Sequence, residues 1–443
     1  MSESLAAYAG RILGHVSIDE GTPRWIGKLV AYDGLMLEAT GFPMPIGHGA
    51  LIMDANGQSS RAEVVGFRGN TTLLMALDAD APHNPGARVE PDRQLSIVHV
   101  GDGLLGRVIG ALGEPLDNLG PIITDEYWPL VGKMGNPLNR GRVTQPFDMG
   151  VRAINALLTA GVGQRIAIMA GSGVGKSVLM GQVIAGAKAD VIVTGLIGER
   201  SREVTDFVET KISDDVRPKS VVVAVPADHP PVLRLRAAMR ATAIAEYFRA
   251  KGKNVLLLID SLTRIAHAQR EVGLSLGEPP TIKGYPPSAL GLIPRLVERA
   301  GIDIHSKGAI TAIYTVLADG DDPDDPIVDT ARAIVDGHII LSRSLAEQGV
   351  FPAIDLGKSL SRVMSDIISP GHRQAAAHLR RLWSVYEENR DLILMGAYRS
   401  GTDASIDEAI NRHNDVLDFI RQGQNERIDL AASIATLMER FAV

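Results

Sequence analysis

The spacing of hydrophobic positions changes along the chain, and each change predicts a different kind of structure. From Trp25 to about Val98 the apolar runs are short and punctuated by turn residues: "WIGKLVAYDG", "GALIMDANGQ", "RAEVVGFRGN", "TTLLMALDAD". Asp-Gly and Asn-Gly between such runs supply the residues that tight hairpins require, so the even spacing predicts a small closed β-barrel. Two stretches rich in Gly and carrying scattered Pro follow, "GDGLLGRVIGALGEPLDNLG" and "GNPLNRGRVTQPFDMG", and read as a connector. After Gly161, strand-like runs at 165–170, 191–196, 220–225, 255–259 and 309–316 alternate with helical stretches such as 232–250. That alternation predicts an α/β parallel sheet covered on both faces. From about Gly371 the pattern is helical to the end. Ahead of the barrel, Leu5, Tyr8 and Ile12 are spaced through polar text in residues 1–22, as in a frayed terminus or an amphipathic partner-binding helix. The expected domains are therefore 1–22, 23–98, 99–370 and 371–443.

The first chemistry stands where the strand at 165–170 breaks into glycines: "RIAIMAGSGVGKSVLMGQVIAG". Residues Ala170, Gly171, Ser172, Gly173, Val174, Gly175, Lys176 and Ser177 read A-x-x-x-x-G-K-S, with alanine in place of the usual first glycine. Glycines remove Cβ atoms, so backbone N–H groups can close around an oxyanion. The helix that follows adds its positive N-terminal end, Lys176 a point charge and Ser177 a metal ligand. The arrangement predicts a nucleoside triphosphate site.

Two carboxylates are candidates for the same site. Asp260 ends the buried-strand run "NVLLLID", at the edge where open α/β sheets bind ligands, and there it can hold Mg²⁺ together with Ser177. Its bland alternative is a helix cap for "SLTRIAHAQR". Glu199 in "GLIGERSREVTDF" follows another strand through Gly198. It reads equally as the base that polarises an attacking water, with Arg200 holding the departing oxyanion, or as a surface glutamate in a first helical turn.

Composition narrows the classes. The chain has 443 residues, 45% of them hydrophobic, enough for several cores, and no uninterrupted apolar run of membrane-spanning length. No basic, apolar leader opens it, so a cytoplasmic location is expected. The absence of cysteine excludes disulfides and thiolate metal sites, and no histidine pair has zinc spacing. Fifty-two acidic against 45 basic residues give a net charge of −7, which argues against a general nucleic-acid binder.

Longer motifs carry a resemblance. "AGSGVGKS", "GERSREVTDF", "AMRATAIAEYF", "DSLTRIAHAQREVGL", "GEPPTIKGYPPSALGLIPRLVERAG", "TAIYTVLADGDDPDDP" and "ARAIVDGHIILSRSLAEQGVFPAIDLGKSLSRVM" resemble the flagellar and type III secretion export ATPases. These are relatives of the catalytic subunit of rotary ATP synthases, and the similarity spans about residues 23–443. It implies an α/β fold with a RecA-like P-loop NTPase core, a small N-terminal β-barrel and a C-terminal helical domain. It implies Mg-ATP hydrolysis, with Glu199 activating water and Arg200 on the phosphates. By the same resemblance Phe351 lies against adenine, where the residue alone reads as a core aromatic, and Arg362 reaches into the neighbouring subunit's site. The implied assembly is a homohexamer at the base of a membrane export apparatus. Its partners are a stalk or regulatory protein, an export gate, export substrates and chaperones, with no specific nucleic acid.

Ser201 stands where many relatives have glycine, at a helix start where serine is harmless. "ADGDDPDDP" follows the family pattern, though alone it reads as a solvated turn. "GLMLEATGFPMPIG" favours the flagellar branch over an injectisome ATPase. A rotary synthase subunit is disfavoured by the serine-ended loop and by the missing acidic lever motif around 401–410. The acidic balance disfavours an RNA-tracking helicase.

Overall fold

A computed structural model describes residues 25–54, 57–78, 81–133, 136–171, 173–317 and 325–442. The segment 1–22, Ser172 and most of the acidic loop after Leu317 lie outside the described residues. The chain forms two compact units, one ending at Arg93 and one running from Gln94.

The first unit contains the expected barrel. Strands β1 (Gly27–Tyr32), β2 (Met36–Thr40), β3 (Gly49–Met53), β4 (Ser59–Arg68), β5 (Thr71–Ala76) and β6 (Arg88–Asp92) close in the order 1-2-5-4-3-6, with β6 pairing back to β1. Alternate residues point inward, so Leu29, Leu37, Ala39, Ile52, Val64, Leu74 and Val89 fill the interior. The Asp-Gly hairpin forms as expected: Asp33 Oδ1 accepts from the N–H groups of Leu35 (3.1 Å) and Met36 (2.7 Å), and Gly34 takes φ +95°.

The second unit is built on a nine-stranded sheet. Its strands are β7 (Val108–Ile109), β8 (Arg165–Ala170), β9 (Val191–Ile197), β10 (Ser220–Val225), β11 (Asn254–Asp260), β12 (Ala309–Leu317), β13 (Gly337–Ile340) and β14 (Leu360–Ser361). The main path runs 14-13-8-12-11-9-10-7, parallel except at the β14 edge, while Gly301–Ile302 pairs antiparallel with β12. Strands β9 and β10 are buried at every position, as continuous apolar runs in a sheet covered on both faces must be.

The connector is more than a linker. Val108–Ile109 forms the β7 edge strand, and Ile97–Val100 pairs with Glu126–Pro129, so the text around Val98 belongs to the second unit and not to the barrel. The helix Pro231–Ala250 holds this segment with buried side chains. Arg236 donates to the Leu95 carbonyl, Arg240 Nε to that of Ala111 (2.7 Å), and Glu246 Oε2 accepts from Trp128 Nε1 (3.0 Å). The anchors lie more than a hundred residues downstream, which is why the Gly-rich text reads locally as loop.

Three helices form the tail: Pro370–Leu394, Ala404–Ile420 and Leu430–Phe441. Each begins at a capping side chain, Ser369, Asp403 or Asp429, that accepts backbone N–H bonds of its first turn. Their apolar faces bury Leu379, Trp383, Phe419 and Phe441. Arg152, which opens the short helix Arg152–Leu157 ahead of β8, ties the tail to it by donating to the carbonyls of Phe419 (2.8 Å) and Arg421 (2.5 Å).

Candidate functional site

Three strands deliver their side chains to one end of the sheet. The glycine loop leaves β8 at Ala170, and Gly173 (φ +78°) and Gly175 (φ +92°) adopt the left-handed conformation that glycine makes cheap. Val174 is buried and anchors the loop. The helix α1 (Lys176–Gly186) starts with no side-chain cap, so its first N–H groups remain for a ligand. A Cβ on Gly175 would stand 3.3 Å from the Phe351 ring, so the glycine also permits that close approach.

Asp260 closes β11, and Lys176 Nζ lies 2.5 Å from its Oδ1. The same oxygen accepts a 2.5 Å bond from Thr315 Oγ1. Thr315 belongs to β12, the strand between β8 and β11, so it props the carboxylate toward the loop. Glu199 follows β9 through Gly198, whose φ of +71° swings the chain back over the sheet edge. A Cβ at Gly198 would meet Arg264 Cβ at 3.0 Å, so packing requires glycine there as well. Lys176 Nζ is 3.9 Å from Glu199 Oε1, which is buried and has no hydrogen-bond partner among the described residues.

These groups line a cleft of about 540 Å³ together with Gly171, Ser177, Arg200, Arg264 and Arg343. Burial, and after it the charge of Asp260, push the Glu199 carboxyl up to about 7, while Lys176 and Arg264 pull the other way. A carboxylate poised near neutrality is suited to proton transfer. The donor set fits a Mg-nucleotide. Ser177 and Asp260 offer the hard oxygen ligands the ion prefers, Lys176 can leave Asp260 for phosphate, and the Glu199 carboxylate lines the cleft where an attacking water would lie.

Arg200 also lines this cleft, but its side chain is 80% exposed and 3.9 Å from Glu203. Sequence reasoning passed over Thr315, Arg264 and Arg343. Arg264 carried a signal, falling one helical turn past Asp260 in "DSLTR", whereas Thr315 is one residue of a buried apolar strand and carried none.

Phe351 borders an adjoining cavity of about 500 Å³ whose other walls include Val178, Leu179, Pro352 and the tail residues Arg421 and Gln422. Phe351 is 41% exposed, so it is not the core aromatic that the residue alone suggests. Arg362 is not brought to this chain's cleft. It follows β14 at the sheet edge, where its N–H donates to the Asp336 carbonyl (2.9 Å) and its Nη2 to that of Arg332 (3.2 Å). His338 pairs with the Lys358 carbonyl (3.0 Å) on the same edge, a structural role.

Comparison with known proteins shows the family. Residues 150–361 match the family model for the ATP synthase alpha/beta family, nucleotide-binding domain, and residues 368–439 match the T3SS EscN ATPase C-terminal domain. The chain is 48% identical over 419 residues to a flagellum-specific ATP synthase of Pseudomonas aeruginosa, covering 94% of this chain and 93% of the relative. It is 46% identical over 400 residues to a type 3 secretion system ATPase of Xanthomonas euvesicatoria, covering 90% of each. The assembled ATPase EscN of the enteropathogenic E. coli type III secretion system superposes with a TM-score of 0.88. That match has 41% identity and covers 94% of this chain and all of the other.

Proposed function

The chain belongs to the family of flagellum-specific ATP synthases and type III secretion ATPases, and from that membership we propose how its residues hydrolyse ATP and to what end. The observation that carries the mechanism is the convergence of Lys176, Asp260 and Glu199 at the ends of β8, β11 and β9. The glycine loop and the N–H groups of α1 hold the phosphates, and Lys176 exchanges Asp260 for the β- and γ-phosphate oxygens. Ser177 and Asp260 would hold Mg²⁺, which neutralises phosphate charge when bound. Glu199 orients and deprotonates the attacking water. Arg200, at the cleft rim, meets the departing phosphate, and the base stacks on Phe351.

Arg362 has no reach to its own cleft, so it serves a neighbour. The assembled state of EscN, and its complex with the central stalk EscO, support an oligomer around a stalk here, which we read as the ring of six that the resemblance implies. Such a ring would sit on the cytoplasmic face of a membrane export gate and energise export of proteins delivered with their chaperones. Three flagellum-specific relatives at 48% identity, with "GLMLEATGFPMPIG", favour the flagellar branch. The tail match at 368–439 favours an export role over a rotary synthase subunit or a helicase.

Mixing two inactive variants tests the shared site. Arg362→Ala should bind ATP and assemble yet lose about 10³–10⁵ in rate, as for other arginines supplied in trans. Adding Glu199→Gln should restore activity at interfaces pairing an intact Glu199 with an intact Arg362. Mixtures that co-assemble and stay silent would remove Arg362 from the neighbouring site.

A further inference from the structure

Two buried glutamines border the cavity beside Phe351, and they differ in how far their groups are used. Gln422 is fully engaged. Its Oε1 accepts from the Arg152 N–H (2.7 Å), and its Nε2 donates to the carbonyls of Gly150 (2.9 Å) and Glu426 (2.8 Å). Gln182, 4% exposed, is half used: Nε2 donates to the Gly423 carbonyl at 2.9 Å, while Oε1 is buried and has no hydrogen-bond partner among the described residues. The amide cannot exchange its ends without setting Oε1 against the Gly423 carbonyl oxygen, so the unsatisfied group is an acceptor. Buried acceptors without donors are costly, and one carried by a side chain that borders a ligand cavity is a place for the ligand's own N–H once the base is seated. Gln182 lies on α1, six residues and about 9 Å of helix beyond Lys176. The helix that receives the phosphates therefore also positions this oxygen.

We propose that Gln182 is the residue that selects adenine, its Oε1 accepting a hydrogen bond from the exocyclic 6-amino group of a base lying against Phe351. The assignment rests on reading this cavity as the base end of the ATP site. Once N9 carries ribose, the 6-amino group is the only N–H donor on adenine, whereas a 6-oxo purine places an acceptor at that position. A site built around an unpaired acceptor discriminates against a base that lacks the donor. The apolar walls Val178, Leu179 and Pro352 contribute area without preference. Gln182 also borders a second cavity of about 440 Å³ that holds Lys211 and Arg427, and an acceptor serving that side would leave base preference untouched.

The test is calorimetry on the full chain carrying Glu199→Gln, so that bound nucleotide survives. ATP is compared with purine riboside triphosphate, which has hydrogen in place of the 6-amino group. ATP should bind about 10–100-fold tighter, the span expected for leaving one buried acceptor unpaired. Equal affinity for the two nucleotides would overturn the proposal before any further variant is made. Gln182→Met, close in volume and without the acceptor, should bring the ratio to within about twofold. A merely structural role for Gln182 would weaken both nucleotides alike and leave the ratio standing, which also overturns it. Phe351→Ala separates the two levels, because it should weaken both nucleotides together. If it weakens neither, the base-site reading fails and the proposal with it. If it weakens both while Gln182→Met leaves the ratio unchanged, the base site stands and the Gln182 assignment falls.

Discussion

Glu199→Gln should make the protein slower and more stable at once. The carboxyl is raised from 4.5 to about 7 by burial and by Asp260, so in the folded chain its charged form is held at a disadvantage. Between those two values the folded chain keeps a proton that the unfolded chain has released. Stability therefore falls as pH rises across that window and stays at its lower level above about 7. Taken at face value the shift corresponds to roughly 3 kcal/mol. Water in the open cleft screens it to about 1–2 kcal/mol. Glutamine never ionises, so it escapes this cost while filling the same space. In thermal melts of the nucleotide-free protein at pH 8, Glu199→Gln should melt about 1–3 °C higher than the parent, with the gap narrowing toward pH 5. ATP turnover should fall about 10²–10⁴-fold with nucleotide binding retained, because an amide is a poor base. In the parent, kcat/KM should decline below about pH 7 as the base of the free enzyme takes up its proton. A variant that melted lower at pH 8 would refute the electrostatic reading, and one that turned over at the parent rate would refute the role of Glu199 as base.

Two further substitutions probe the groups around Asp260. Lys176→Ala removes the ammonium 2.5 Å from a buried carboxylate, so it should weaken ATP binding in calorimetry and also cost on the order of 3 kcal/mol in urea unfolding of the nucleotide-free chain. Equal ATP affinity in parent and variant would contradict the phosphate cradle. Thr315→Val keeps the shape and deletes the hydroxyl that props Asp260. It should cost about 1.5–3 kcal/mol of stability and raise the Mg²⁺ concentration needed for half-maximal ATPase activity. An unchanged Mg²⁺ requirement would reduce Thr315 to packing.

Local pattern determined much of this protein. The runs at 220–225 and 165–170 form strands with those same limits, and the neighbouring runs agree to within a residue at either end, because a buried parallel strand is a continuous apolar run with sharp polar ends. The glycine loop running into a helix at Lys176 was equally legible, since contiguous residues make it and glycine itself sets its conformations. Asp260 could be placed at the ligand edge because it ends a strand. Other features were decided only when the sheet assembled. On its own residues Glu199 read equally as a base or a surface glutamate, and it is the placement of β9 beside β11 that buries it 3.9 Å from Lys176. The β7 edge strand was invisible because two residues specify no period, and its neighbouring segment is held by Arg236 and Arg240 from a distant helix. Thr315 and Gln182 look like polar interruptions in apolar text. Their roles come from what stands opposite them: a carboxylate for one, the wall of a cavity for the other. Periodicity reports which face of an element is buried. Which atoms meet across that face depends on strand order and on side chains far apart in the chain, and only the tertiary structure brings them together.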